Sequence, residues 1–225
     1  MEVVVLFVVG GTVIALVAYM RYQARQRRIQ GVAALAQRVG FTFTREDVDR
    51  VVTMPFKLFA EGDRRQVELV MSGTHNERPL RIFDYWYYDE SNNGQGGRSR
   101  SYHRFTCALL TLPAACPPLR VTHEDFLTRL GGHLGLNDVE FEYDDFNRRF
   151  RVKCNEQKFA FALLDGEMMQ WLLDADGFEA LEVVGPWVLL AVKQLEPARW
   201  PDLGTWLDQF HGRVPPLVYT TYPPQ

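Results

Sequence analysis

Asp84 is the carboxylate whose setting most invites chemistry. It sits in the aromatic run Arg78–Tyr88 (RPLRIFDYWYY) and shares a strand face with Ile82 and Trp86, so burial and a specific charged partner are expected of it. With His103 and Arg104 on the following strand it forms the set that would line a cleft if the chain were an enzyme. A structural partner, an Arg or a Tyr hydroxyl, is the more economical expectation. The Gly-rich stretch Gly94, Gly96 and Gly97 beside Arg98 and Arg100 offers backbone N–H groups and guanidinium forks to an anion. It lacks G-K-[ST] and G-x-G-x-x-G, and it joins two antiparallel strands, whereas a phosphate loop leads from a strand into a helix.

Metal chemistry finds less support. The histidines at 75, 103, 123, 133 and 211 show neither H-E-x-x-H nor paired ligand spacing. His103 and Cys107 share a strand face but stand roughly 13 Å apart at strand rise, too far for one zinc ion. Asp145, Asn147 and Arg149 alternate like the start of a calcium loop without the Gly such a loop requires. No G-x-S-x-G occurs, and Cys107, Cys116 and Cys154 have no C-x-x-C spacing, which fits three thiols in a reducing compartment. No metal and no cofactor are therefore expected.

The elements that would carry these residues read as α+β. Residues 41–65, broken by Pro55 and Gly62-Asp63, read as a connector. Gln66–Ser72, Arg78–Tyr88 and Tyr102–Leu112 read as strands, with Asp89–Arg100 (DESNNGQGGRSR) as a hairpin loop. A short helix over His123–Leu130 follows the prolines at 113, 117 and 118. Next come two half-buried strands through Val139, Phe141 and Tyr143 and through Phe150 and Val152, then a helix over Gln157–Leu173. A hairpin turning at Gly185-Pro186 and a short helix over Leu203–Phe210 complete a body over 41–213, with a division into two lobes near 117–137. Strands and helices do not alternate regularly, which argues for an antiparallel sheet with a few packed helices. The tail 214–225 is Pro-rich but contains neither P-x-x-P nor P-P-x-Y.

At the amino end, Val3–Met20 forms 18 consecutive uncharged, mostly apolar residues and predicts one transmembrane helix. Arg21, Arg25, Arg27 and Arg28 flank it, and a basic juxtamembrane helix over 21–40 ends at Gly40. The positive flank predicts a single pass through the plasma membrane, with the amino terminus outside and the body in the cytosol. Gly11 and Ala15, four apart, offer a homo-oligomer contact through that helix. The formal charge of −3 divides into +3 over residues 1–29 and −6 over the remainder, and this acidity argues against a nucleic-acid partner. At 225 residues with 47% hydrophobic and 24% charged, the composition excludes a disordered or collagen-like chain.

The pattern Phe83-Asp84-Tyr85-Trp86-Tyr87-Tyr88, then the Gly-rich turn, Tyr102 and Leu112-Pro113, then Phe146-Asn147-Arg148-Arg149-Phe150-Arg151-Val152, resembles a family of single-pass membrane proteins of GC-rich bacteria grouped by a domain of unknown function. The resemblance covers about residues 67–193. It implies a fold and an anchor, and it brings no catalytic residues. The leading expectation is a membrane-anchored cytosolic interaction or assembly module with a protein partner, using Trp86, Tyr87, Tyr88, Arg98 and Arg100. The competing expectations are an enzyme with a cleft near Asp84 and His103, and an exported envelope protein.

Overall fold

A computed structural model describes residues 2–93, 97–123, 136–175 and 177–224, with side-chain detail in the first helix from Thr12 onward. The helix α1 (Glu2–Val39) ends at Gly40, whose φ of 74° lets the chain turn into β1 (Thr42–Glu46). β2 (Arg64–His75) and β3 (Arg78–Asn93) form a hairpin. Its two-residue turn, Asn76-Glu77, places both residues at positive φ, the backbone that matches the twist of the flanking strands. β4 (Gly97–His123) returns alongside β3 in unbroken register from Leu80↔Leu110 to Asn93↔Gly97. The remaining strands are β5 (Asp138–Val139), β6 (Phe150–Cys154) and β7 (Ala180–Lys193).

Among the described residues the seven strands form one antiparallel sheet in the order β1-β2-β3-β4-β6-β5, with β7 pairing β4. The length of β4 makes this possible: Phe105–Leu110 lie between β3 and β7, and Leu119–Thr122 lie between β6 and β7. Each face of the sheet has its own apolar core. One is covered by Ile29, Val32, Leu35 and Ala36 of α1 and by the helix α5 (Trp200–Arg213). The other is closed by Val51, Phe56, Leu58 and Phe59 over Phe83, Tyr85 and Tyr87. Residues 41–65 thus hold a strand and a cap over a core, where the sequence reads only a connector.

The cap is fixed by a buried ionic group. Glu182 accepts hydrogen bonds from the backbone N–H of Lys57 (2.6 Å) and Leu58 (2.9 Å). Arg120 lies within 3.3 Å of Glu182 and 3.5 Å of Glu61. Tyr85 donates its hydroxyl to Leu58 O at 2.8 Å. Gly62 enters the same corner at a φ of 71°, where a Cβ would stand 2.5 Å from the Tyr87 ring and 2.9 Å from Tyr88 O.

Several elements depart from the sequence expectation. β7 continues as one strand through Gly185-Pro186 where a hairpin is expected, with Gly185 at a φ of 57° and the β4–β7 register broken on either side of Cys116↔Gly185; an outer strand paired with β4 alone tolerates the missing N–H of Pro186. Gln157–Leu173 is two helices, α3 (Gln157–Leu163) and α4 (Gly166–Asp174), because Asp165 caps the second by accepting from Met168 N. Residues Asp144–Arg149 form α2, whose Asn147 side chain bonds both the N–H and the C=O of Phe141 and so satisfies that backbone outside any strand. The tail is ordered as α6 (Pro216–Thr221), with Val218 buried and Ala115 N donating to Tyr222 O at 3.0 Å. β4 passes through 117–123 as one strand, and the helix expected over His123–Leu130 falls, after His123, outside the described residues.

The amino-terminal expectation is corrected. Among the described residues no helix is long and apolar enough to cross a membrane. A transmembrane helix over 3–20, and with it a single-pass plasma-membrane placement with the body in the cytosol, is not supported. The oligomer contact expected through Gly11 lies outside the described side chains.

Candidate functional site

Asp84 is the point where α1, the sheet and the segment after β7 meet. Its carboxylate is 1% exposed and takes a two-pronged ion pair from Arg28, Nε to Oδ2 at 2.5 Å and Nη2 to Oδ1 at 2.7 Å. Thr106 Oγ1, from the β4 residue opposite, donates to Oδ1 at 3.1 Å, and Gln194 Nε2 donates to Oδ2 at 3.3 Å. Thr106 Oγ1 in turn accepts from Leu195 N at 2.9 Å. Each carboxylate oxygen therefore holds two donors, which leaves Asp84 no lone pair with which to act as a base. The Arg28 guanidinium also stands over the fully buried Trp200 ring, 6.0 Å from its centroid.

Beside this clasp an open groove of about 1400 Å³ runs between α1 and the sheet. Arg21, Arg25, Arg28, Leu35 and Arg38 recur on α1 at spacings of three, four and seven, which puts them in one stripe on its wall. The floor is a row across three strands, Gln66, Trp86 and Arg104, fixed by the pairings Gln66↔Trp86 and Trp86↔Arg104. Glu196, Pro197 and Ala198 form the far side. Arg25 is paired with Glu68 at 3.1 Å, whereas Arg21, Arg27 and Arg38 make no ion pair among the described residues.

Alternation along β3 and β4 continues this surface toward the hairpin. Trp86 and Tyr88 stack with centroids 6.3 Å apart, and Tyr102 tilts against both, at 5.8 Å from Trp86 and 5.2 Å from Tyr88. Arg104 lies over the Tyr102 ring and Arg100 over that of Tyr88, at 5.5 and 4.9 Å. Arg100 is held by Glu90 at 2.7 Å, and Arg98, two residues on, is exposed on the same face. Of the residues the sequence points to, Asp84, Trp86, Tyr88, Arg98, Arg100 and Arg104 therefore share one side of the sheet with Arg25 and Arg28. Tyr87 and His103 occupy the other. Tyr87 is in the core closed by Phe59, and His103 stacks on it at 4.7 Å while meeting Asp89 at 3.2 Å. Asp84, His103 and Arg104 do not line one cleft. Tyr102, named in the sequence only as part of the family pattern, joins the surface, as do Arg38 and the segment 194–198, which no motif marks. The helical spacing of Arg21, Arg25, Arg28 and Arg38 is the signal that points to such a wall.

In fold, the chain resembles a mycobacterial transport factor. The similarity is to the crystal structure of the mycobacterial trehalose monomycolate transport factor A, with a TM-score of 0.58 and 16% identity over 88% of this chain and 97% of that one. No family model and no curated protein matches the chain. At that identity the likeness is one of architecture.

The thiols stand apart from this surface. Cys107, Cys116 and Cys154 are buried and unbridged, and burial raises the pKa of each, that of Cys116 to about 12. Iodoacetamide at pH 8 is expected to leave all three unmodified in the native protein over a period that fully alkylates glutathione. In denaturant all three become labelled, as counted by intact mass; rapid native labelling of any of them would contradict this.

Proposed function

We propose that the chain is an assembly module that docks another protein in the groove between α1 and the sheet, as an accessory to a transport apparatus. The observation that carries this reading is the groove itself: an open, arginine- and aromatic-lined surface built on two rigid elements, beside a carboxylate already saturated by structural donors. Its volume exceeds the roughly 300–1000 Å³ of ordinary small-molecule pockets, and its mouth is open along α1. Arg and aromatic side chains are the residue types that concentrate binding energy at protein interfaces. The fold likeness to a transport factor supports the wider role.

The test is affinity purification of the full chain from the cells that make it, beside a Tyr102→Ala/Arg104→Glu variant. Both positions are exposed, so the variant is expected to keep the wild-type melting temperature. A protein retained in fixed ratio by the wild type is expected to fall at least tenfold with the variant. Equal retention by both, or recovery of a small molecule with no protein partner, would contradict the proposal.

A further inference from the structure

We infer that the groove takes an acidic peptide segment in extended conformation, an inference that rests on the docking role just proposed and names the chemistry of its partner. The first argument is charge. Arg25 and Arg28 are neutralised by Glu68 and Asp84, which leaves Arg21, Arg27, Arg38 and Arg104 facing the groove against Glu196. This positive strip belongs to a chain whose formal charge is −3, so it is a local feature with a definite complement, a run of carboxylates.

The second argument is shape. From Arg21 to Arg38 the wall of α1 rises about 25 Å, the span of about eight residues of extended chain and far more than one phosphate or carboxylate needs. Trp86 and Tyr102 give the floor an apolar platform between the charged ends, with Tyr102 48% exposed. An extended peptide presents alternate residues to opposite sides, so carboxylates at every second position reach the arginines while the intervening apolar side chains lie on the rings. Guanidinium forks suit carboxylates in two-pronged pairs, as the Arg28–Asp84 pair shows within the same wall.

The probe is a fluorescein-labelled nine-residue peptide in which Glu alternates with Leu and Phe, titrated by anisotropy against the full chain, with a counterpart carrying Lys for every Glu. The Glu peptide is expected to bind at micromolar concentration, and raising salt from 50 to 300 mM to weaken it at least fivefold. Arg38→Glu and Arg104→Glu are each expected to weaken it at least tenfold, Arg38→Gln and Arg104→Gln by less, and Lys158→Glu on α3 to leave it unchanged. Circular dichroism and melting temperature verify that each variant is folded. Equal binding of the Lys peptide, or no binding of either, would overturn the inference. So would tighter binding of a ten-nucleotide oligo-dT or of phosphatidylglycerol vesicles, lost in the same variants, since either outcome assigns the strip to another class of occupant. Co-purification of a protein that depends on Tyr102 and Arg104, together with failure of the peptide, would remove the acidic-peptide chemistry and leave the docking role standing.

Discussion

Arg28→Ala in the full chain is expected to lower the free energy of unfolding by about 3–5 kcal/mol in urea denaturation at pH 7, the usual cost of removing one partner from a buried ion pair. The physical cause is the carboxylate left behind. Asp84 is 1% exposed and would keep Thr106 and Gln194 as donors but lose both prongs of the guanidinium. α1 would also lose its polar clasp to the sheet and its contact over Trp200, retaining the apolar stripe Ile29, Val32, Leu35 and Ala36. The double variant Arg28→Met/Asp84→Leu is expected to recover most of the loss, because the apolar pair leaves no charge unpaired. A single-variant loss below about 1 kcal/mol, or a double variant no better than the single, would show that Asp84 is reached by water and that the clasp does not hold α1.

Arg120→Met is expected to cost a similar 3–5 kcal/mol at pH 7, with a deficit that depends on pH. Arg120 is 1% exposed, within reach of both Glu61 and Glu182. Glu182 keeps its two backbone donors when Arg120 is removed, so the larger part of the cost falls on Glu61. Burial raises the pKa of Glu61, and Arg120 opposes that rise. A carboxyl whose folded value lies above its unfolded value favours the fold below the unfolded value, near 4.3, and loses that contribution as pH climbs through the folded value. Removing Arg120 takes away the opposing charge, moves the Glu61 folded value further up and widens that window. The Arg120→Met deficit is therefore expected to be smaller at pH 4.5 than at pH 7.5, and the variant Glu61→Gln/Arg120→Met to show a flatter profile. Equal deficits at both pH values would place the cost on packing alone.

What the sequence made legible divides along physical lines. β3 and β4 were readable because Phe83–Tyr88 is an aromatic run and Phe105–Leu110 a mostly apolar one on either side of a Gly- and Asn-rich stretch, and local pattern suffices for a central hairpin. The burial of Asp84 and its need for a partner followed from its place between Ile82 and Trp86 on one face. Which Arg would meet it did not, because Arg28 is 56 residues away and only the packing of α1 brings it there. The cap over residues 51–60 was unreadable for the same reason, since its backbone is held by Glu182 from the far end of the sheet. The arginines after Met20 read as a membrane flank on charge order alone, and the structure turns Arg25 and Arg28 onto Glu68 and Asp84 instead. Alternation along a single strand already places His103 opposite to Arg104 and Tyr87 opposite to Trp86, whereas it takes the register of β3 on β4 to put Arg104 beside Trp86 and His103 beside Tyr87.

The most direct test of the groove as a protein-docking surface is photocrosslinking in living cells from two exposed aromatic positions. Tyr102, on the groove floor, and Phe161, on α3, are 48% and 47% exposed, so a p-benzoylphenylalanine at either is equally available to solvent. The account predicts one discrete protein adduct from Tyr102→p-benzoylphenylalanine that is absent from the Phe161 variant and abolished by adding Arg104→Glu. No protein adduct at position 102, or the same adducts at both positions, would contradict it.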